Sequence, residues 1–144
     1  MLKDAESSEK AAVVATRGSR RLRILVVDDN QDAAESLALW VETLGHEALL
    51  AHDGPQALET ALRTHPDVVL LDIALPGMSG DEVARRLRAS AELRHATLVA
   101  LSGWGSANDR ATSLQAGFDR HLVKPIELAT LEAVLRGSVV GRPE

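Results

Sequence analysis

Residues 67–80, Asp67-Val68-Val69-Leu70-Leu71-Asp72-Ile73-Ala74-Leu75-Pro76-Gly77-Met78-Ser79-Gly80, constrain this chain more than any other stretch. Four apolar residues run without interruption into a single carboxylate, and a turn rich in Pro and Gly follows at once. An unbroken apolar run of this length suits a strand buried on both faces, the condition of a parallel sheet with helices on each side. Such a strand carries Asp72 to its carboxyl end, the edge at which open α/β sheets place their ligands. A carboxylate there needs partners.

The same alternation extends in both directions. Ile24-Leu25-Val26-Val27 is a short apolar strand that stops on Asp28-Asp29-Asn30. Asn30 or Asp29 can cap the following helix, whose inner face carries Leu37, Trp40, Val41 and Leu44, with Gly45 at its end. A weaker strand spans Glu47–Ala51. Asp53-Gly54-Pro55 then opens a helix with Ala57, Leu58, Ala61 and Leu62 inward, closed by His65-Pro66. The third helix turns Val83 and Leu87 inward and Glu82, Arg85, Arg86 and Arg88 to water. Thr97–Leu101 is the fourth strand, Ala107–Ala116 the fourth helix, stopped by Gly117, and Phe118–Val123 the fifth strand. A last helix buries Leu128, Leu131, Val134 and Leu135 and frays past Gly137. Five strands alternating with five helices over short connections imply right-handed crossovers and a parallel sheet in three layers.

At 144 residues and 45% hydrophobic content, the chain is sized for one domain with a real core. Residues 1–20 read as a disordered or linker-like leader, 21–138 as the folded domain and 139–144 as a tail. With no cysteine there is no thiolate metal site, and a reducing compartment fits. No apolar run approaches the roughly 20 residues needed to span a bilayer. Lys3, Asp4, Glu6 and Glu9 stand where a signal peptide would need a basic start and an apolar block, so a cytoplasmic location is expected. The net charge of -5 argues against binding nucleic acid through the whole surface. Arg17, Arg20, Arg21 and Arg23 read as a solvated linker or as a contact for an acidic partner.

In a parallel sheet the strand ends fall on one edge. Asp28 and Asp29 close the first strand, Asp72 the third, Ser102 the fourth and Lys124 the fifth. Outside the leader, which holds Lys3 and Lys10, Lys124 is the only lysine in a chain that otherwise uses arginine. A compact ammonium suits a phosphate or carboxylate oxygen approached as a point charge, and the alternative is a structural ion pair with one acid. Three clustered carboxylates repel one another and call for a cation. Oxygen donors without His or Cys point to Mg²⁺ rather than zinc. With its charge screened, Asp72 could attack phosphorus to form an acyl phosphate.

Taken together, Val27-Asp28-Asp29, Leu71-Asp72-Ile73-Ala74-Leu75-Pro76-Gly77-Met78-Ser79-Gly80, Leu101-Ser102-Gly103 and Val123-Lys124-Pro125 resemble the receiver domain of two-component response regulators, over about residues 22 to 137. The resemblance implies a flavodoxin-like sandwich with strand order 2-1-3-4-5, an order for which the general rule on such sheets takes this family as its own example. It implies Asp72 as phosphoacceptor, and Asp28, Asp29, Asp72 and the Ala74 carbonyl as Mg²⁺ ligands. Ser102 would be the switch hydroxyl, Lys124 the phosphate-binding amine and Lys124-Pro125 a cis bond. The implied donor is a histidine kinase or histidine phosphotransfer protein. Output would pass to a downstream protein, without direct contact to nucleic acid or a membrane span.

Two positions depart from the family pattern. Three residues before Lys124, where many relatives carry Tyr or Phe, stands His121, a switch ring or a partner-facing side chain. Two residues beyond Asp72 and Ser102 stand Ala74 and Trp104, neither able to orient an attacking water, so a long-lived acyl phosphate is expected. Trp104 could equally pack on its own loop. Two other readings compete with the phosphoacceptor. A Mg²⁺-dependent phosphatase of the haloacid dehalogenase type would need an acid where Ala74 stands, and a receiver that works without phosphorylation would be favoured by a broken acid cluster.

Overall fold

The computed structural model describes residues 21–103 and 107–140, with side chains for 21–103 and 111–137. The chain alternates strand and helix throughout: β1 (Arg23–Val27), α1 (Gln31–Thr43), β2 (Glu47–Ala51), α2 (Gly54–Thr64), β3 (Val68–Asp72), α3 (Gly80–Ala89), β4 (Thr97–Ser102), α4 (Ala107–Ala116), β5 (Arg120–Val123) and α5 (Leu128–Val140). A 3₁₀ turn, Ala91–Leu93, follows α3. The sheet is parallel in the order β2-β1-β3-β4-β5.

Strand periodicity divides the core in two. Leu25, Val27, Val69, Leu71, Leu98 and Ala100 point to the face covered by α2 and α3. Ile24, Val26, Val68, Leu70, Val99 and Leu101 point to the opposite face, against α1 and α5. β3 is buried along its whole length. Burying each of its leucines stabilises the fold by about 2 kcal/mol.

Local chemistry sets the helix ends. Asn30, Asp53 and Ser79 each accept a backbone N–H of the first turn, from Ala33, Gln56 and Glu82. Helix α1 ends at Leu44, and Gly45 follows with φ +96°, a conformation that favours glycine. Helix α2 ends on His65 in the left-handed region, just before Pro66.

Several expected faces are corrected. The inner stripe of α1 is Ala34, Ala38 and Val41, and Trp40 is exposed. Leu62 of α2 and Leu128 of α5 are exposed too. In each helix the expected face extended past the residues that meet the sheet. In α1 and α2 small alanines let the helix approach closely and leave the larger neighbour outside. Arg88 does not face water: it is largely covered, and its guanidinium donates to Gly117 O, Arg94 O, Ala96 O and the Asp119 carboxylate. Strand β5 starts at Arg120 rather than Phe118, and α5 runs past Gly137 to Val140. The leader, the tail beyond residue 140 and Trp104 lie outside the described residues.

Candidate functional site

Strand register assembles the site. Val27 pairs with Leu71, so the next residues, Asp28 and Asp72, emerge side by side. Asp72 pairs with Leu101, placing Ser102 one step beyond, and Ser102 pairs with Val123, placing Lys124 one step beyond that. Parallel pairing therefore brings together residues up to 96 positions apart.

Asp28, Asp72 and Ser102 are buried, while Asp29 is exposed. Each buried carboxylate is held from two sides. Asp28 Oδ1 accepts the Asn30 N–H at 2.9 Å, and Asp72 Oδ1 accepts the Ala74 N–H at 2.9 Å. Lys124 Nζ bridges the other oxygens, at 3.2 Å from Asp28 Oδ2 and 3.0 Å from Asp72 Oδ2. Burial alone would lower the Lys124 pKa. Hydrogen bonds and charge from Asp72, then from Asp28, outweigh burial and raise it. The Lys124-Pro125 bond is cis.

The carboxylates suit a hard cation. One oxygen each from Asp28, Asp29 and Asp72 lies within 4.8 Å of the others. Oxygens about 2.1 Å from a common Mg²⁺ are at most about 4.2 Å apart, a gap that small side-chain rotations close. The donor set is all carboxylate, which disfavours softer transition metals.

Space for the site depends on Gly80. A Cβ there would stand 2.6 Å from Asp72 O and 2.6 Å from Ile73 Cα, so only glycine lets α3 begin against the end of β3. The Gly80 N–H closes that loop on Ile73 O at 2.9 Å.

Two features were not legible in the sequence. His52 Nδ1 lies 3.1 Å from Asp28 O, bracing the end of β1 from the β2–α2 turn. His121 Nε2 lies 2.7 Å from Ser102 Oγ. One contact depends on which turn meets the end of β1 and the other on which strands lie side by side, and no local pattern signals either.

The family model for the response regulator receiver domain matches residues 24–136. The chain belongs to this family. Response regulator MprA of Mycobacterium ulcerans is 38% identical over 115 residues, covering 80% of this chain and 49% of the relative. Transcriptional regulatory protein PrrA of Mycobacterium leprae is 41% identical over 111 residues, covering 77% and 47%. The chain thus spans about half the length of the curated relatives it matches. Among solved structures, the receiver domain of sensor histidine kinase PA1611 from Pseudomonas aeruginosa, which has a magnesium ion coordinated in its active site cleft, superposes with a TM-score of 0.77. It is 32% identical, over 83% of this chain and 98% of that one. Chemotaxis protein CheY4 of Vibrio cholerae gives a TM-score of 0.77 at 26% identity, over 81% and 97%. The strand order expected from the resemblance is the one observed. Among the described residues, no helix is long and apolar enough to cross a membrane.

Proposed function

We propose that this receiver domain is the phosphoacceptor of a two-component phosphorelay, modified on Asp72 by a histidine kinase or histidine phosphotransfer protein. The carrying observation is the Lys124 ammonium bridging two buried carboxylates, beside a third carboxylate suited to complete a cation site. Asp28, Asp29, Asp72 and the Ala74 carbonyl would hold Mg²⁺. When bound, that cation supplies positive charge against the phosphoryl oxygens and offsets the repulsion among the acids.

An Asp72 oxygen attacks phosphorus in line with the leaving nitrogen of a phosphohistidine. The P–O bond forms as the P–N bond breaks, and its electron pair returns to the donor imidazole. Lys124 is placed to move from the Asp72 carboxylate to a phosphoryl oxygen, and the Ser102 hydroxyl to donate to another. The domain works as a signalling module rather than as an enzyme with turnover. A groove of about 700 Å³ opens beside the acids, lined by Leu37, Trp40, Pro125 and Ile126 together with Asp28 and Lys124. Its apolar wall suits a helix of the phosphodonor. Output passes to a downstream protein, in keeping with the acidic net charge.

Incubation with Mg²⁺ and acetyl phosphate, read by intact mass, tests the assignment. One phosphoryl adduct that requires Mg²⁺ and is lost in Asp72→Asn is expected. No adduct from acetyl phosphate or from phosphorylated histidine kinases would overturn the reading in favour of a phosphorylation-independent interaction module. Ala74 is exposed and offers only a methyl group, so the adduct is expected to be long-lived. An Ala74→Asn, Trp104→Glu double variant that decayed no faster would count against this.

A further inference from the structure

The end of β1 is fastened from outside the acid cluster, by the turn between β2 and α2. Backbone pairing runs one residue past β1, where the Asp28 N–H donates to Ala51 O at 3.1 Å. His52 stands next in the chain, half-buried, with its Nδ1 3.1 Å from Asp28 O. A carbonyl oxygen can only accept, so this contact is a hydrogen bond when Nδ1 carries the ring proton. Both backbone polar groups of Asp28 are thus held by two consecutive residues. The turn that carries the ring is itself braced. The His52 N–H donates to Gln56 Oε1 at 3.0 Å, and Asp53 Oδ1 accepts the Gln56 N–H at 2.8 Å, a close variant of the capping box.

The effect of this bracing falls on Asp29. The Asp28 side chain is held without it, since Oδ1 accepts the Asn30 N–H and Oδ2 meets Lys124. Asp29 is exposed, and nothing comparable holds its carboxylate among the described residues. One of its oxygens nonetheless lies within 4.8 Å of oxygens from Asp28 and Asp72. The Asp28 carbonyl and the Asp29 N–H belong to one planar peptide. Fixing that plane restricts ψ of Asp28 and φ of Asp29, and with them the direction in which the Asp29 side chain leaves the backbone.

We propose that His52 is a positioning residue for the cation site: its Nδ1–H holds the Asp28–Asp29 peptide so that Asp29 faces Asp28 and Asp72, and affinity for Mg²⁺ rises. The inference rests on the reading of these acids as the Mg²⁺ site of a phosphoacceptor. Without the hydrogen bond from the ring, Asp29 is ordered only when the cation binds, and affinity falls by the cost of that ordering. Groups that orient metal ligands set affinity in this way.

Two substitutions separate the hydrogen bond from the bulk of the ring. His52→Asn places an amide N–H the same number of bonds from the backbone as Nδ1, whereas His52→Leu places a methyl group there. Mg²⁺ alone is titrated into the full chain without a phosphodonor, at about pH 8, where a free imidazole is neutral. Backbone amide shifts report the binding. His52→Leu is expected to raise the Mg²⁺ dissociation constant about fivefold, the scale of one hydrogen bond, and His52→Asn to restore it. Before Mg²⁺ is added, imidazole ¹⁵N shifts should show His52 as the Nδ1–H tautomer. The Asp28 carbonyl ¹³C shift should move in His52→Leu and return in His52→Asn.

An Nε2–H tautomer, or equal dissociation constants in wild type and His52→Leu, overturns the proposal. Equal weakening in both variants also overturns it, because the bulk of the ring rather than its donor would then matter. The phosphoacceptor reading fails separately: affinity that depends on His52 as expected, in a protein that takes no phosphoryl group, overturns that reading and leaves His52 in its role. A wild type that binds no Mg²⁺ overturns both.

Discussion

The two edges of the sheet use polar residues in opposite ways. At the amino ends of the strands, the polar groups are largely saturated. Arg88 is tied to three carbonyls and to Asp119, and Asp119 Oδ2 also accepts the Leu98 N–H at 2.8 Å. Asp67 Oδ2 takes the Arg23 N–H at 2.8 Å, and His46 Nδ1 takes the Leu22 N–H at 3.0 Å. Thr97, whose buried Oγ1 is unpaired among the described residues, is an exception on this edge. At the carboxyl ends, two buried carboxylates share one ammonium, and Asp81 and His121 each keep a buried atom that is unpaired among the described residues. Saturated polar groups hold the layers together. The proposed cation and phosphoryl site lies at the under-satisfied edge, so stability and proposed function fall on opposite edges.

Substitutions at each edge can break this contrast. The largest expected effect on stability is Arg88→Met, which removes the charged partner of the Asp119 carboxylate and a donor from three carbonyls and should cost about 3 kcal/mol in urea unfolding. The folded fraction should still label on Asp72. Loss of labelling without loss of stability would reverse the assignment of the edges. Gly80→Ala tests whether the carboxyl edge is sterically tight although electrostatically loose. Its Cβ meets backbone atoms at 2.6 Å that cannot yield, so a loss of about 2 kcal/mol is expected, with slower labelling.

A smaller effect of opposite sign should come from Mg²⁺. At tenfold excess over its dissociation constant it should stabilise the fold by about 1.4 kcal/mol, and Asp29→Asn should remove most of that gain. Urea midpoints with and without Mg²⁺ measure both.

The smallest effect belongs to His46. Burial, then the charge of Arg21, lowers its pKa below the ordinary 6.5, with Asp67 opposing. A folded state that prefers neutral His46 has its full advantage above 6.5. It loses that advantage as pH falls through the lowered folded value. Unfolding midpoints from about pH 7.5 down to about 5 should therefore decline, and the decline should be shallower in His46→Gln.

Much of this molecule was written locally. Apolar runs ending on polar residues marked the strands, Asn30 marked the start of α1 as a cap, and Asp53-Gly54-Pro55 marked the start of α2. Because parallel strands end on one edge, Asp28, Asp29, Asp72, Ser102 and Lys124 could be grouped before any coordinates were known. These features depend on short windows and on one topological rule, so the sequence by itself determined them.

Tertiary structure decided what depends on distance between segments. Arg88 reads as a surface residue on its helix, yet it lies over Gly117 and Asp119, which a different loop brings to it. Trp40, Leu62 and Leu128 carry the apolar character of core residues but stand outside. The pairing of His121 with Ser102 joins β4 and β5 through their side chains. No short window along the chain contains both, and only the folded sheet sets the 2.7 Å contact that puts His121 beside Ser102.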